Sequence, residues 1–231
     1  MKLIKFLFSV LLVFSLLACL LFGETIPNFA SRKYSVKGCD LSRYQGTVDW
    51  PVLAEEMDFV FIKATEGSTH VDPCFAFNRE ESRKTSVCVG YYHFFSFESA
   101  GKTQAEHFLL TAGPLSGCLP PAVDVEFYGN LHPDKTTLLE NLNAFLLAVE
   151  QSIGTKPIIY TTESFYREYL QDHFSDYPLW IRNVYFVPRE NWTFWQYADL
   201  GQFSFYDGEE RHMDLNVFAG KREELNRLLI P

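Results

Sequence analysis

The chain has 231 residues, 47% of them hydrophobic and 16% aromatic, which is enough to bury a large core in one domain. Its formal net charge of -9 provides no basic stripe to neutralise phosphates. Nucleic acid is thereby excluded as a partner, and recognition must rest on local contacts.

Residues 1–23 stand apart. Lys2 and Lys5 accompany an apolar run from Phe6 to Phe22, the pattern of an export signal or a signal anchor in a hydrophobic helix. Leu16-Leu17-Ala18-Cys19 has the look of a lipoprotein processing site, but Leu20 to Phe22 continue the apolar run where such sequences turn polar. The remainder is expected to work outside the cytoplasm, either held to the membrane through residues 1–23 or secreted. Residues 24–35, with Pro27 and Asn28, read as a tether.

From Val36 onward, short strand-like runs alternate with stretches of helical period. The strand candidates are Val36 to Asp40, Phe59 to Ala64, Val87 to Phe94, Ala122 to Val125, Pro157 to Thr161, Leu179 to Ile181, Phe194 to Tyr197 and Met213 to Phe218. Five helices are expected near Val52 to Glu56, Phe75 to Lys84, Ala100 to Leu110, Lys135 to Ser152 and Ser164 to Leu170. The fourth is clearest, with Leu138, Leu139, Leu142, Phe145, Leu146 and Val149 on one face and Gly154 as its stop. The alternation predicts an α/β fold: a TIM-like (β/α) barrel of about eight largely parallel strands over residues 36–220, irregular across the last three. Residues 221–231 form a terminal tail.

Pro121-Ala-Val-Asp-Val-Glu126 places Asp124 and Glu126 two apart at a strand end. That spacing puts both carboxyls on one side, about 6 to 7 Å apart. Like charges so close resist double ionisation, which leaves one carboxyl protonated near neutrality. A protonated acid beside a charged one suits cleavage of a glycosidic bond. Other strand ends add Asp40, Lys63, Tyr92, His93, Tyr160, Trp180, Gln196 and Asp214 to the same mouth. Acids, aromatics and amides together suit a carbohydrate.

Plainer readings stand beside these. His93 fits a satisfied core histidine, Lys63 an ion pair with Glu66, Trp180 simple packing, and Asp40 and Asp214 turn-forming acids. Beyond Cys19, the cysteines Cys39, Cys74, Cys88 and Cys118 permit two disulfides in an exported chain or remain buried thiols. No CxxC pair, Gly-rich phosphate loop or His-Glu-x-x-His helix occurs, so neither metal nor cofactor is expected.

The series Asp40-Leu-Ser-Arg-Tyr-Gln-Gly46, Phe61-Ile-Lys-Ala-Thr-Glu-Gly67, Val89-Gly-Tyr-Tyr-His-Phe94, Pro121-Ala-Val-Asp-Val-Glu126, Pro157-Ile-Ile-Tyr-Thr161, Pro178-Leu-Trp-Ile181, Phe194-Trp-Gln-Tyr197 and Met213-Asp-Leu-Asn216 resembles glycoside hydrolase family 25, the Chalaropsis-type lysozymes. The resemblance implies a flattened, irregular barrel and hydrolysis of the β-1,4 bond between N-acetylmuramic acid and N-acetylglucosamine in peptidoglycan by a monomer. It casts Glu126 as general acid and then base, Asp124 as the group that orients the substrate acetamido, and Asp40 and Asp214 as an acidic floor. Lys63, Tyr92, Tyr160, Trp180 and Gln196 would contact sugar. Attack by the acetamido oxygen is the favoured route, with a carboxylate nucleophile such as Asp214 as the other. A wall-binding protein without activity, or a hydrolase of another N-acetylated glycan, are the competing readings. The chain departs from the family pattern at Tyr44, where tryptophan is frequent, and at Ile181-Arg182-Asn183, where a small residue commonly follows the Leu-Trp-Ile run.

Overall fold

A computed structural model describes residues 29–129, 131–209 and 212–231. The expected export segment, residues 1–23, and the first part of the tether lie outside the described residues. Among those described, no helix is long and apolar enough to cross a membrane.

Eight strands close into a ring. They are β1 (Lys37–Leu41), β2 (Phe59–Glu66), β4 (Cys88–Phe94), β5 (Ala122–Asp124), β6 (Ile158–Thr162), β7 (Leu179–Arg182), β8 (Phe194–Gly201) and β9 (Met213–Phe218); the short β3 (His70–Val71) hangs on the edge of β2. From β1 round to β8 every neighbour is parallel, and β9 closes the ring antiparallel to both β8 and β1. Residues 202 to 212 fall short of the roughly dozen residues that a parallel crossover needs, so the chain returns antiparallel. The expected irregularity of the last strands has this origin.

Helices α1 (Trp50–Glu56), α2 (Phe75–Ser82), α3 (Gly101–Ala112) and α4 (Lys135–Ile153) coat one side of the ring. After β6 the coat is a broken helix: α5 (Glu163–Phe165), a π-helical turn at Tyr166–Leu170, and α6 (Gln171–Phe174). In α4, Asp134 accepts the Thr137 amide as N-cap and Gly154 ends the helix at φ 73°. Its buried face is Leu138, Leu142, Phe145, Leu146 and Val149. Each such side chain contributes about 1.5–3 kcal/mol on burial, so packing rather than intrinsic propensity holds the helix in place.

The ring is filled rather than open. Phe59, Phe61, Ile158, Trp180, Phe194 and Phe218 form one buried cluster inside it. Gly38 and Gly90 share this face because a Cβ at either would strike the ring of Phe59 or Phe61. The tail supplies the floor: α7 (Arg222–Asn226) sends Leu225 into the same cluster, and Ile230 exchanges backbone hydrogen bonds with Gly117 and Cys118.

No helix covers β8 after β7 or β8 among the described residues, and the segment before β1 does so instead. Ser31 is buried, and the Tyr34 ring lies edge-on to Trp192 and Trp195 at 5.0 and 6.3 Å. The later part of the expected tether is thus part of the barrel's coat. Cys39, Cys74, Cys88 and Cys118 are free thiols, and Cys39 packs in the layer between sheet and helices, away from the mouth.

Candidate active site

Alternation along the strands decides what reaches the mouth. Val60 and Ile62, Tyr91, Val123 and Ile159 pack outward into the layer under the helices. Their neighbours Lys63, Tyr92 and Asp124 face inward, where they line a hollow of about 490 Å³ with Asp40, Asp214 and Phe94. Ser42, Tyr44, Leu200 and His212 form its rim.

Asp40 is the best-connected acid. Its Oδ2 accepts from Asn216 Nδ2 at 2.8 Å and Gln196 Nε2 at 3.1 Å. The far ends of those two amides are also engaged: Gln196 Oε1 accepts the Tyr160 hydroxyl at 2.8 Å, and Asn216 Oδ1 accepts the Trp180 indole N–H at 2.7 Å. Fixing both ends of each amide fixes which atom faces the carboxylate. Burial and the charge of Asp214 push the Asp40 pKa well up, against the pull of the two amide donors.

Asp214 hydrogen-bonds Asp40, and burial, with Asp199 adding to it, raises its pKa to about 6; Arg182 works the other way. Asp124 is also raised, first by burial and then by the Glu126 charge, with Lys63 opposing. The Glu126 pKa is raised by burial and drawn back by Arg182. Beyond the last residue of β5, Val125 N–H still donates to Tyr160 O at 2.9 Å and Val125 O accepts the Thr161 hydroxyl at 2.7 Å. The extended geometry therefore continues past Asp124. Next in the chain, Phe127 packs against Phe97, Phe165 and Tyr169, pinning the loop that carries Glu126.

Glu126 is half-buried and does not line this hollow, and the other sequence-predicted residues separate into two layers. Asp40, Asp124, Asp214, Lys63 and Tyr92 line the hollow. Tyr160, Trp180 and Gln196, expected to touch sugar, lie beneath it: Trp180 and Gln196 are 2% and 1% exposed, and their polar atoms are used on Asn216, Asp40 and Tyr160. Trp180 is further sandwiched against Phe61 at 4.5 Å. Lys63 pairs with Glu66 at 2.7 Å and sits over the Phe94 ring at 4.9 Å. His93 points away from the mouth, held by Thr65 and Gln104 and stacked on Phe145, with burial lowering its pKa to about 3. Sequence reasoning passed over Asn216 and Arg182 as site residues. Asn216 is two residues from Asp214 in a strand, and that spacing alone places the two on one face.

The sequence profile of glycosyl hydrolases family 25 matches residues 39–205, spanning all but the last strand of the ring. The chain belongs to glycosyl hydrolases family 25. Among solved family 25 structures, the barrel is similar to a family 25 glycosyl hydrolase from Bacillus anthracis, with 42% identity and a TM-score of 0.78 over 84% of this chain and 94% of that one. It is also similar to the bacterial lysozyme of Streptomyces coelicolor, with 28% identity and a TM-score of 0.76 over 84% and 96% of the two chains. An uncharacterized Escherichia coli K12 protein, YegX, is 38% identical over 87% of this chain and 76% of its own length. The chain is accordingly a glycoside hydrolase.

Proposed function

We propose that this family 25 enzyme is a muramidase: outside the cytoplasm it hydrolyses the β-1,4 bond between N-acetylmuramic acid and N-acetylglucosamine in peptidoglycan. The similarity to the Streptomyces lysozyme supports the substrate class. One observation supports the route. Asp124 lines the hollow, is 9% exposed, and its buried Oδ1 has no hydrogen-bond partner among the described residues. A buried acceptor left open costs about 1–3 kcal/mol unless something fills it, and a substrate acetamido N–H is the complementary donor.

Held by Asp124, the acetamido oxygen attacks the anomeric carbon as Glu126 passes its proton to the departing sugar oxygen. Asp40 and Asp214 stabilise the positive charge that develops on the ring. Glu126, now ionised, takes a proton from water, and the resulting attack opens the cyclic intermediate with retained configuration.

The test is digestion of purified peptidoglycan by the full chain beside its Glu126→Gln form, with mass spectra of the products. New reducing ends on muramic acid from the unaltered enzyme alone would support the reading. Reducing ends on N-acetylglucosamine, or turnover only on a chitin-like polymer, would overturn it.

A further inference from the structure

The sequence departs from the family 25 pattern after Pro178-Leu-Trp-Ile181, where Arg182 stands in place of a small residue. Alternation turns its side chain to the same side as Trp180, toward the mouth, while Ile181 packs outward under the helices. The sheet register then sets it beside the proton donor. Asp124 is level with Tyr160, and Thr162 is level with Arg182. Two residues past Asp124, along the extension that Val125 keeps through its bonds to Tyr160 and Thr161, Glu126 falls level with Thr162. Glu126, Thr162 and Arg182 therefore form one row across three neighbouring strands, with about 10 Å between the outer backbones. Thr162 is short, and its hydroxyl is engaged with the Phe165 amide and Ser164, both at 3.2 Å. Two long side chains of opposite charge thus face each other over a small residue.

They do not close into an ion pair. Arg182 Nη2 instead donates to Asp199 Oδ2 at 2.8 Å, and with the two side chains 34% and 38% exposed, water screens the pair enough that it adds little to stability. Asp199 reaches Arg182 because β8 slips register against β9 beyond Gln196 and again before Gly201, which re-aims the side chains between them. It also lines the acid-bearing hollow. Around Glu126 stand Asp124 on its own strand, Tyr160 on β6, Arg182 on β7 and Asp214 on β9, with Lys63 and Asp40 bearing on Asp124. His132, on the loop that follows, lies against Phe127. Arg182 is the cation that bears on Glu126: burial raises the Glu126 pKa and the guanidinium draws it back. Burial likewise raises Asp214, with Asp199 adding to it and Arg182 opposing.

In the first half of the reaction the Glu126 proton passes to the departing sugar oxygen, which also takes the electron pair of the broken C–O bond. A carboxylate is left behind in a buried, acidic mouth. That charge needs a partner that does not trap it: a guanidinium in full contact would hold Glu126 ionised before any sugar arrived. We propose that Arg182, held back by Asp199, is a positioning residue for the general acid, a standing counter-charge to the carboxylate formed at Glu126 that sets the pH window of turnover. This rests on Glu126 being the acid of the muramidase reading above and adds what lets it give up its proton there.

The experiment records kcat/KM on purified peptidoglycan against pH for the full chain and for Arg182→Met, Arg182→Lys and Asp199→Asn, reading reducing ends. Without the guanidinium, Glu126 keeps its proton to higher pH and Asp214 reaches its charged form only at higher pH, so both limbs of the Arg182→Met profile should move upward. One pH unit beyond the alkaline midpoint of the unaltered enzyme, where about a tenth of its maximum remains, this variant should keep a several-fold larger share of its own maximum. Arg182→Lys retains the charge and should retain both midpoints. Asp199→Asn frees the guanidinium to close on Glu126, and both limbs should move to lower pH. A lowered rate with unmoved midpoints, as expected of a merely structural residue, would overturn the proposal, and so would Arg182→Lys midpoints displaced as far as those of Arg182→Met. In parallel, the side-chain carboxyl signal that Glu126→Gln removes is titrated by carbon-13 NMR in each form without substrate. Its midpoint should rise in Arg182→Met and fall in Asp199→Asn; a midpoint that stays put in both contradicts the proposal. If the unaltered chain releases no reducing ends, the muramidase reading fails, whereas the NMR arm still decides the role of Arg182.

Discussion

Asp40 and Asp214 are register partners across the antiparallel β1–β9 pairing, and their side chains hydrogen-bond each other. Two carboxyls can do so only while one keeps a proton. That proton sits on Asp40, whose pKa the bond raises while it lowers that of Asp214. Burial, not the bond, keeps Asp214 itself protonated up to about pH 6, where the unfolded chain would release the proton near 3.8. The corresponding stability is fully present below the unfolded value and is lost as pH climbs through about 6, on the order of 3 kcal/mol. Asp214→Asn removes the buried ionisation while its amide oxygen can still accept from Asp40. Its melting temperature should exceed that of the unaltered protein at pH 7, and the gap should narrow by pH 4; a gap independent of pH would contradict the raised Asp214 pKa.

Glu126→Gln should cut the release of reducing ends by about 10²–10⁴, the range associated with a lost general acid. Binding to walls and the melting curve should persist, because the amide has the same shape. Residual turnover near the original rate would remove Glu126 from its role.

Asp124→Asn keeps the volume but turns one open acceptor into a group that also donates. Turnover should fall about 10²-fold, in line with the loss of one preorganised electrostatic contact, and the pH profile should shift because Glu126 loses a coupled neighbour. An unchanged rate with an unchanged profile would show that the two carboxyls work independently.

Asn216→Ala leaves the Trp180 N–H without its acceptor and Asp40 without its shortest donor. Stability should drop by about 1–3 kcal/mol. Turnover should fall too, although Asn216 lies below the hollow. Loss of stability with full turnover would mean that the amide frame does not position Asp40.

Much of this fold was legible because its signals are local. The leucine face of α4, the two-residue alternation of the strands and the Asp-x-Glu spacing each depend on near neighbours in sequence. The second layer of the site was not legible in that way. Whether Trp180 meets a sugar or Asn216 depends on what β9 carries after crossing back beside β1, and no spacing within Pro178 to Ile181 encodes that. The same holds for Tyr160 and Gln196, which share a hydrogen bond from strands two places apart in the ring. The π-turn at Tyr166–Leu170 and the two-residue β3 are too short to leave a periodic trace.

The Tyr34 ring against Trp192 and Trp195 has a practical corollary. Trimming the chain to begin at Val36, where the first strand pattern starts, would strip the cover from Trp195 and leave a greasy stripe along an otherwise acidic body. Such a shortened protein should clump through that stripe, while one starting at Phe29 should stay dispersed.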